Sequence, residues 1–267
     1  MTGVDVAAAE DRLAAVLEAL GPLAIAVSGG VDSMTLAFLA HRMIDAEMVH
    51  ALSPAVPPEA TARVQRHAQK HGWRLVTTRA REFEDANYLA NPVNRCFFCK
   101  ANLYDRIAEL TRRRIASGAN LDDLGDYRPG LRAAADRNVV HPLVEARIDK
   151  RTVRALAAAH GLDDLAELPA QPCLSSRVET GIPIEALDLA FVHAVETAVG
   201  RAVGSSGDVR VRITAAGVEL QLGRSYGPVA TARASALAQR LAMDAGRAWA
   251  GARPYRRGSA FLHGPER

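Results

Sequence analysis

Cysteine is scarce in this chain, with Cys96, Cys99 and Cys173 the only three among 267 residues. So few thiols exclude the disulfide framework of a small secreted domain. Aromatic residues amount to 5%, and neither a basic face interleaved with aromatics nor an appended RNA-binding module is evident, so no nucleic-acid partner is expected. No apolar run approaches the roughly 20 residues of a membrane span. The first twenty residues, MTGVDVAAAEDRLAAVLEAL, are acidic and amphipathic, unlike a secretory leader. A cytoplasmic protein with no membrane partner is the expectation. Charge of one sign is also lacking: 33 basic against 30 acidic residues leave +3, too little to argue for a polyanion. Lysine occurs only as Lys70, Lys100 and Lys150, which fits a codon bias towards arginine. Lys100 nevertheless follows a cysteine pair directly, where an ammonium can steady a thiolate or a phosphate.

What is present is a 49% hydrophobic, 24% charged composition, that of a globular protein. The stretch AIAVSGGVDSMTLAFLAHR (24–42) joins a short buried strand, Leu23 to Val27, to a segment whose apolar residues recur at helical spacing. The loop between them is a strand-to-helix turn. The first backbone N–H groups of such a helix have no intrahelical partner, and Gly29 and Gly30 let them converge on one anion. Ser28 and Ser33 add hydroxyls. Asp32 would repel a phosphate unless a divalent cation, most economically magnesium, lies between them, or unless it caps and shapes the loop.

Further along, the pattern reads as an amphipathic helix near 5–20, strands at Ala46 to Leu52 and Trp73 to Thr78, and an intervening helix with Pro58 in its first positions and a glycine stop. Strands alternating with helices predict an α/β fold, a parallel sheet with helices on both faces whose ligands bind beyond the carboxyl ends of the strands. Gly118 and Asn120 mark a turn after a short strand, and Asp122, Asp123 and Asp126 crowd together beside Arg128. IDKRTVRALAAAHGL reads as a capped helix stopped by Gly161. A smaller α+β portion follows, with helices near 184–200 and 229–244 and two strands meeting at Ala216 and Gly217. Val209, Val211 and Ile213 alternate there with Arg210 and Arg212, as in a one-sided strand whose arginines face water. The domains read as 1–182, 183–253 and a loose tail, 254–267.

Cys96 and Cys99 stand at C-x-x-C spacing just ahead of an expected helix, in NPVNRCFFCKANLYDRIAEL, and Cys173 lies in LPAQPCLSSRVETGIP. Spacing alone leaves several uses open. A zinc site needs a fourth ligand such as His50, His141 or His193. A redox pair would sit on an unusual scaffold. Three thiolates can hold three irons of a cubane cluster, with the fourth iron open to an exogenous sulfide, and buried unreactive cysteine also remains.

The loop S-G-G-V-D-S lacks the lysine of a Walker A loop and is not G-x-G-x-x-G. It resembles the pyrophosphatase loop of the adenine nucleotide alpha hydrolase superfamily. Taken with N-P-x-x-R-C-F-x-C-K (from Asn91), G-x-N-x-D-D-x-x-D-x-R-P-G (from Gly118), P-L (Pro142) and P-C-L-x-S-R (from Pro172), in that order over about 24–182, the chain resembles the LarE family. Those sulfurtransferases adenylylate a carboxylate of pyridinium biscarboxylic acid mononucleotide with ATP and convert it to a thiocarboxylate, towards the nickel-pincer nucleotide cofactor.

The resemblance implies ATP and magnesium as cofactors, the pyridinium mononucleotide as substrate, the other enzymes of nickel-pincer synthesis as partners, and a homo-oligomer. It places Ser28, Gly29, Gly30, Asp32 and Ser33 at the pyrophosphate, with Asp32 on magnesium and Asp32 and Ser33 catalytic. Gly118, Asn120, Lys100, Asp123, Arg128, Ser176 and Arg177 then join the nucleotide and substrate contacts. Arg210, Arg212 and Glu219 are second-tier candidates for the substrate phosphate or a metal. Cys173 carries the sulfur, and its equivalent in single-cysteine members gives up its own. With Cys96 and Cys99 also present, the implied route is a four-iron four-sulfur cluster on all three cysteines delivering an added sulfide. Two features depart from the family: Ala119 replaces a usual threonine, and ELTRRRIASGAN is short, which leaves the sheet order open. A tRNA thiolase of the same superfamily, a non-catalytic ATP sensor and, more weakly, an amidating ligase are the rival readings.

Overall fold

The computed structural model describes residues 4–125, 129–204 and 207–256. In chain order the elements begin α1 (Val6–Leu20), β1 (Leu23–Ala26), α2 (Val31–Met43), β2 (Ala46–Leu52), α3 (Pro58–His71) and β3 (Arg74–Arg79). They continue with α4 (Ala86–Leu89), α5 (Arg95–Leu110), β4 (Arg114–Ser117), α6 (Pro129–Ala135), α7 (Pro142–Glu145), α8 (Lys150–Ala159) and α9 (Asp163–Ala166). The last are α10 (Ala186–Val203), β5 (Val209–Thr214), β6 (Gly217–Leu222), α11 (Pro228–Asp244) and β7 (Trp249–Pro254). Two compact units result. One is the chain up to Glu84 together with Cys96–Gln171; the other is Asp85–Arg95 together with the chain from Pro172 onward. Motif order alone puts the division after residue 182.

The first unit holds a four-stranded, all-parallel sheet in the order β3-β2-β1-β4. Its centre is β1, paired Leu23↔Ala46 through Ala26↔Val49 on one side and Leu23↔Arg114 through Ala26↔Ser117 on the other. Side chains alternate across a strand, and β1 uses both faces. Leu23 and Ile25 enter a core with Leu13, Leu17, Met34, Leu36 and Leu156, whereas Ala24 joins Tyr104, Ile107 and Ile115. Helices therefore cover both faces, as the alternation of strands and helices predicts, and the short 110–117 segment still delivers a strand beside β1.

Local signals set the helix ends. Asp5 caps α1 by accepting from the Ala8 N–H at 3.0 Å, and Asp149 caps α8 by accepting from the Thr152 N–H at 2.7 Å. Pro58 opens α3, and Gly72 ends it in the left-handed region at φ 68°. The cysteine pair lies inside the start of α5, not ahead of it, because the helix begins at Arg95.

The second unit pairs α10 and α11 with a mixed three-stranded sheet, β5-β6-β7, antiparallel between β5 and β6 and parallel between β6 and β7. The hairpin turns at Ala215 and Ala216, one residue earlier than the expected Ala216 and Gly217, because Gly217 already pairs with Thr214 as the first residue of β6. The third strand, β7, is an addition to the sequence reading: WAGARP has no alternation, and it reaches the start of the expected tail, of which 257–267 lies outside the described residues. The one-sided reading of β5 is also corrected. Arg212 is buried and Arg210 half-buried, because neighbouring side chains cover the face that the alternation assigned to water. No helix among the described residues is long and apolar enough to cross a membrane.

Candidate functional site

The S-G-G-V-D-S loop leaves β1 at the carboxyl edge of the sheet and enters α2 through Gly30, whose extended backbone (φ −81°, ψ 158°) caps the helix without a side chain. The first intrahelical bond runs from the Met34 N–H to the Gly30 carbonyl, 3.1 Å. The Val31, Asp32 and Ser33 amides therefore belong to the open helix end, where backbone N–H groups favour an anion. The serine hydroxyls brace the loop from within. Ser33 Oγ accepts from the Ser28 N–H at 3.1 Å, lies 3.1 Å from Ser28 Oγ and donates to the Gly30 carbonyl at 3.2 Å.

Two glycines let neighbouring chain press on this loop. Gly29 sits at φ 83°, and a Cβ there would lie 2.7 Å from the Ala60 carbonyl oxygen. A Cβ on Gly118 would lie 2.6 Å from the Ser33 nitrogen. The loop carbonyls are tied from behind. Arg63 Nη1 donates to the Gly29 carbonyl at 2.6 Å, and His50 Nδ1 to the Val27 carbonyl at 2.8 Å. That bond fixes the proton on Nδ1, so Nε2 accepts from Thr61 Oγ1 at 2.9 Å. Burial pushes both Arg63 and His50 below their ordinary values. Sequence reasoning missed Arg63, which carries no motif signature.

Asp32 follows in the first turn of α2. One carboxylate oxygen accepts from Asn120 Nδ2 at 3.0 Å, and the other takes the ammonium of Lys150. Asn120 is itself fixed: its N–H donates to Asp123 at 3.1 Å, and its side-chain oxygen accepts from the Asp122 N–H at 2.9 Å. Asp122 in turn accepts from the Lys150 N–H at 3.1 Å. The structure thus gathers Ser28, Gly29, Gly30, Asp32, Ser33, Gly118, Asn120 and Asp123 around one loop. It adds Lys150, to which the sequence reading gave no role. Beside them Ser117 Oγ and His141 Nδ1 are 2.8 Å apart, and burial lowers the imidazole's pKa. Arg128 lies outside the described residues.

Cys96 and Cys99 are the second and fifth residues of α5, three apart and so on one helix face. The Lys100 ammonium lies 5.9 Å from the centre of the Tyr104 ring, and the Lys100 stem packs where a Cβ on Gly130 would come within 3.0 Å. None of the three cysteines forms a disulfide. Among the described residues no three His, Cys, Asp or Glu side chains form a group able to hold a metal ion.

In the second unit Cys173 is exposed and stands at the start of a single 3-10 turn, Leu174–Arg177. Arg177 is buried. It pairs with Glu196 at 2.9 Å and donates to the Pro172 carbonyl at 3.0 Å, the Cys173 carbonyl at 3.4 Å and Ser176 Oγ at 2.9 Å. Arg212 donates to the Ser176 carbonyl at 2.5 Å and to Gln221 at 3.2 Å, and burial pushes it down to about 10, so it stays cationic near neutrality. Arg212, Glu219, Gln221, Glu179 and Arg253 line a cavity of ≈ 530 Å³. Glu219 accepts there from Gln221 at 2.8 Å and pairs with Arg253 at 2.9 Å. Arg210, which the sequence grouped with Arg212, pairs instead with Asp208 at 2.9 Å.

Fold and site together define a parallel α/β protein with a braced glycine loop that carries an aspartate at the carboxyl edge of the sheet. The chain belongs to the family of the uncharacterised Synechocystis protein slr1717, to which it is 38% identical over 202 residues, 73% of this chain and 75% of that one. It is also similar to the uncharacterised protein MJ0830 of Methanocaldococcus jannaschii, 25% identical over 192 residues, 70% of this chain and 72% of that one. A further relative is the pyridinium-3,5-bisthiocarboxylic acid mononucleotide synthase of Lactiplantibacillus plantarum, 28% identical over 191 residues and 69% of each chain. No family model matches the chain.

Proposed function

We propose that this chain is an ATP-dependent sulfurtransferase that adenylylates a carboxylate of pyridinium biscarboxylic acid mononucleotide and converts it to a thiocarboxylate. The observation that carries the proposal is the braced S-G-G-V-D-S loop, whose helix-end amides are aimed by Gly29, Gly118, Arg63 and His50. The likeness to a pyridinium-3,5-bisthiocarboxylic acid mononucleotide synthase supports the substrate. In the first half-reaction a carboxylate oxygen attacks the α-phosphorus of ATP, the bond to the β-phosphate oxygen breaks, and pyrophosphate leaves with the electron pair. The amides of α2 stabilise the charge on that leaving group. In the second, a sulfur nucleophile adds at the activated acyl carbon, AMP departs and a thiocarboxylate remains.

Magnesium fits the loop. That ion characteristically takes one or two carboxylates and completes its shell with phosphate oxygens and water, and Asp32 offers one partly exposed carboxylate. In the second unit the Arg212 cavity has the charge for the substrate phosphate, with Glu219 beside it. Cys96 and Cys99, two thiols on one helix face without a disulfide, suit iron–sulfur ligation, and the sequence resemblance supplies Cys173 as the third ligand. When bound, a cluster with one open iron supplies a site for added sulfide.

Anaerobically purified protein supplied with ATP, magnesium, sulfide and the mononucleotide tests the reading. Mass spectrometry should show the substrate heavier by the exchange of oxygen for sulfur, with AMP and pyrophosphate formed. Iron and acid-labile sulfide, lost in Cys96→Ala, should accompany repeated turnover. A single turnover that leaves Cys173 lighter by hydrogen sulfide would replace the cluster route with a sacrificial cysteine. Thiolation of tRNA in place of the mononucleotide would favour the rival enzyme.

A further inference from the structure

The Asp32 carboxylate carries a cation of the protein's own. One of its oxygens takes the Lys150 ammonium and the other the Asn120 amide at 3.0 Å, so the carboxylate offered to magnesium is already engaged. The lysine comes from 118 residues away in sequence. Its backbone is held firmly: Asp149 caps the helix that Lys150 begins, and the Lys150 N–H is bound by Asp122. Its side chain is held at the ammonium by Asp32. It is 36% exposed, against 22% for Asp32, and a four-carbon stem ending in a compact charge can swing to a new partner without moving the backbone.

A divalent cation and an ammonium cannot share that oxygen, because two positive charges in contact repel strongly wherever water is partly excluded. We propose that Lys150 is a resident stand-in for the cation. It neutralises Asp32 while the loop is empty, keeps divalent metal off the carboxylate until a polyphosphate arrives, and then passes to a phosphate oxygen as the metal takes its place. Metal and nucleotide then bind as one unit, and free metal does not bind. The inference rests on the ATP reading of the loop and adds a positioning residue to it. The neighbouring groups agree. Asp122 and Asp123 each accept a backbone N–H, whereas Asp32 is held by two side chains, Asn120 and Lys150, and is the carboxylate that the lysine ammonium touches.

The test is manganese binding to nucleotide-free protein, followed by electron paramagnetic resonance, in wild type, Lys150→Met, Lys150→Gln and Lys150→Arg. Removing the competing charge should tighten one manganese site per chain at least roughly tenfold in the Met and Gln variants. The Arg variant should exclude the metal as wild type does, and adding Asp32→Asn to Lys150→Met should abolish the gain. Calorimetric binding of ATP without metal should weaken in the two neutral variants. Equal manganese affinity in wild type and both neutral variants, or a gain that survives Asp32→Asn, would overturn the proposal and leave an ordinary structural ion pair. Failure of wild type to bind ATP would strike the reading of the loop, while the manganese titration, which uses no nucleotide, would still decide the role of Lys150.

Discussion

Gly118 and Gly29 show how much of this site depends on single atoms that are missing. Gly118 has an ordinary backbone, and its requirement is space: a Cβ would sit 2.6 Å from the Ser33 nitrogen. Gly118→Ala should displace the open end of α2 and lower ATP–pyrophosphate exchange about a hundredfold, while circular dichroism reports an intact fold. Gly29 combines φ 83° with a 2.7 Å approach to the Ala60 carbonyl, so Gly29→Ala should cost about 2 kcal/mol of stability, read from denaturant midpoints. Both glycines were legible in the sequence, because glycine motifs name their backbone. Lys150 and Arg63 were not legible as contacts, and Arg212 was legible only as a second-tier candidate. Lys150 lies 118 positions from Asp32, Arg63 holds its carbonyl through tertiary packing, and strand alternation wrongly placed Arg212 in water.

At the scale of elements, end signals were the readable part. Pro58, Gly72, Asp149 and Gly161 mark boundaries because each satisfies or frees a particular backbone group. The α8 cap also fixes the backbone from which Lys150 reaches Asp32. Asp149→Ala should remove about 1 kcal/mol of stability and weaken ATP binding beyond that seen in surface controls; equal effects would deny the cap a role at the site. Hydrogen bonds from Thr152 pull the Asp149 carboxyl below its ordinary 3.8. Its contribution is therefore complete above that value and is lost as pH falls through the lowered one. β7 escaped the reading because a strand with glycine, proline and no alternation is recognised only by its partner, here β6. The start of α5 at Arg95 follows directly on Asn94, a residue favoured just before a helix, and that signal was passed over.

The behaviour of the whole molecule with pH follows from three imidazoles of the first unit. Burial holds His50, His71 and His141 below 6.5, and His71 is lowered further by His67, Lys70 and His41 nearby. The unfolded chain then binds more protons than the folded one between each lowered value and 6.5, so stability present above 6.5 is lost as pH falls through the lowered values. Thermal melting at about pH 7.5 and about pH 5.5 should show a drop at the acid value, and His50→Gln should make it smaller. The parallel sheet with both faces covered was legible from alternating strands and helices, whereas the sheet order needed the structure. Proposed activation of a carboxylate by adenylylation at this sheet edge is open to one decisive assay, exchange of labelled pyrophosphate into ATP with and without pyridinium biscarboxylic acid mononucleotide. Exchange should require the mononucleotide and magnesium and be lost in Asp32→Asn; exchange absent from wild type, or indifferent to the mononucleotide, would rule adenylylation at this loop out.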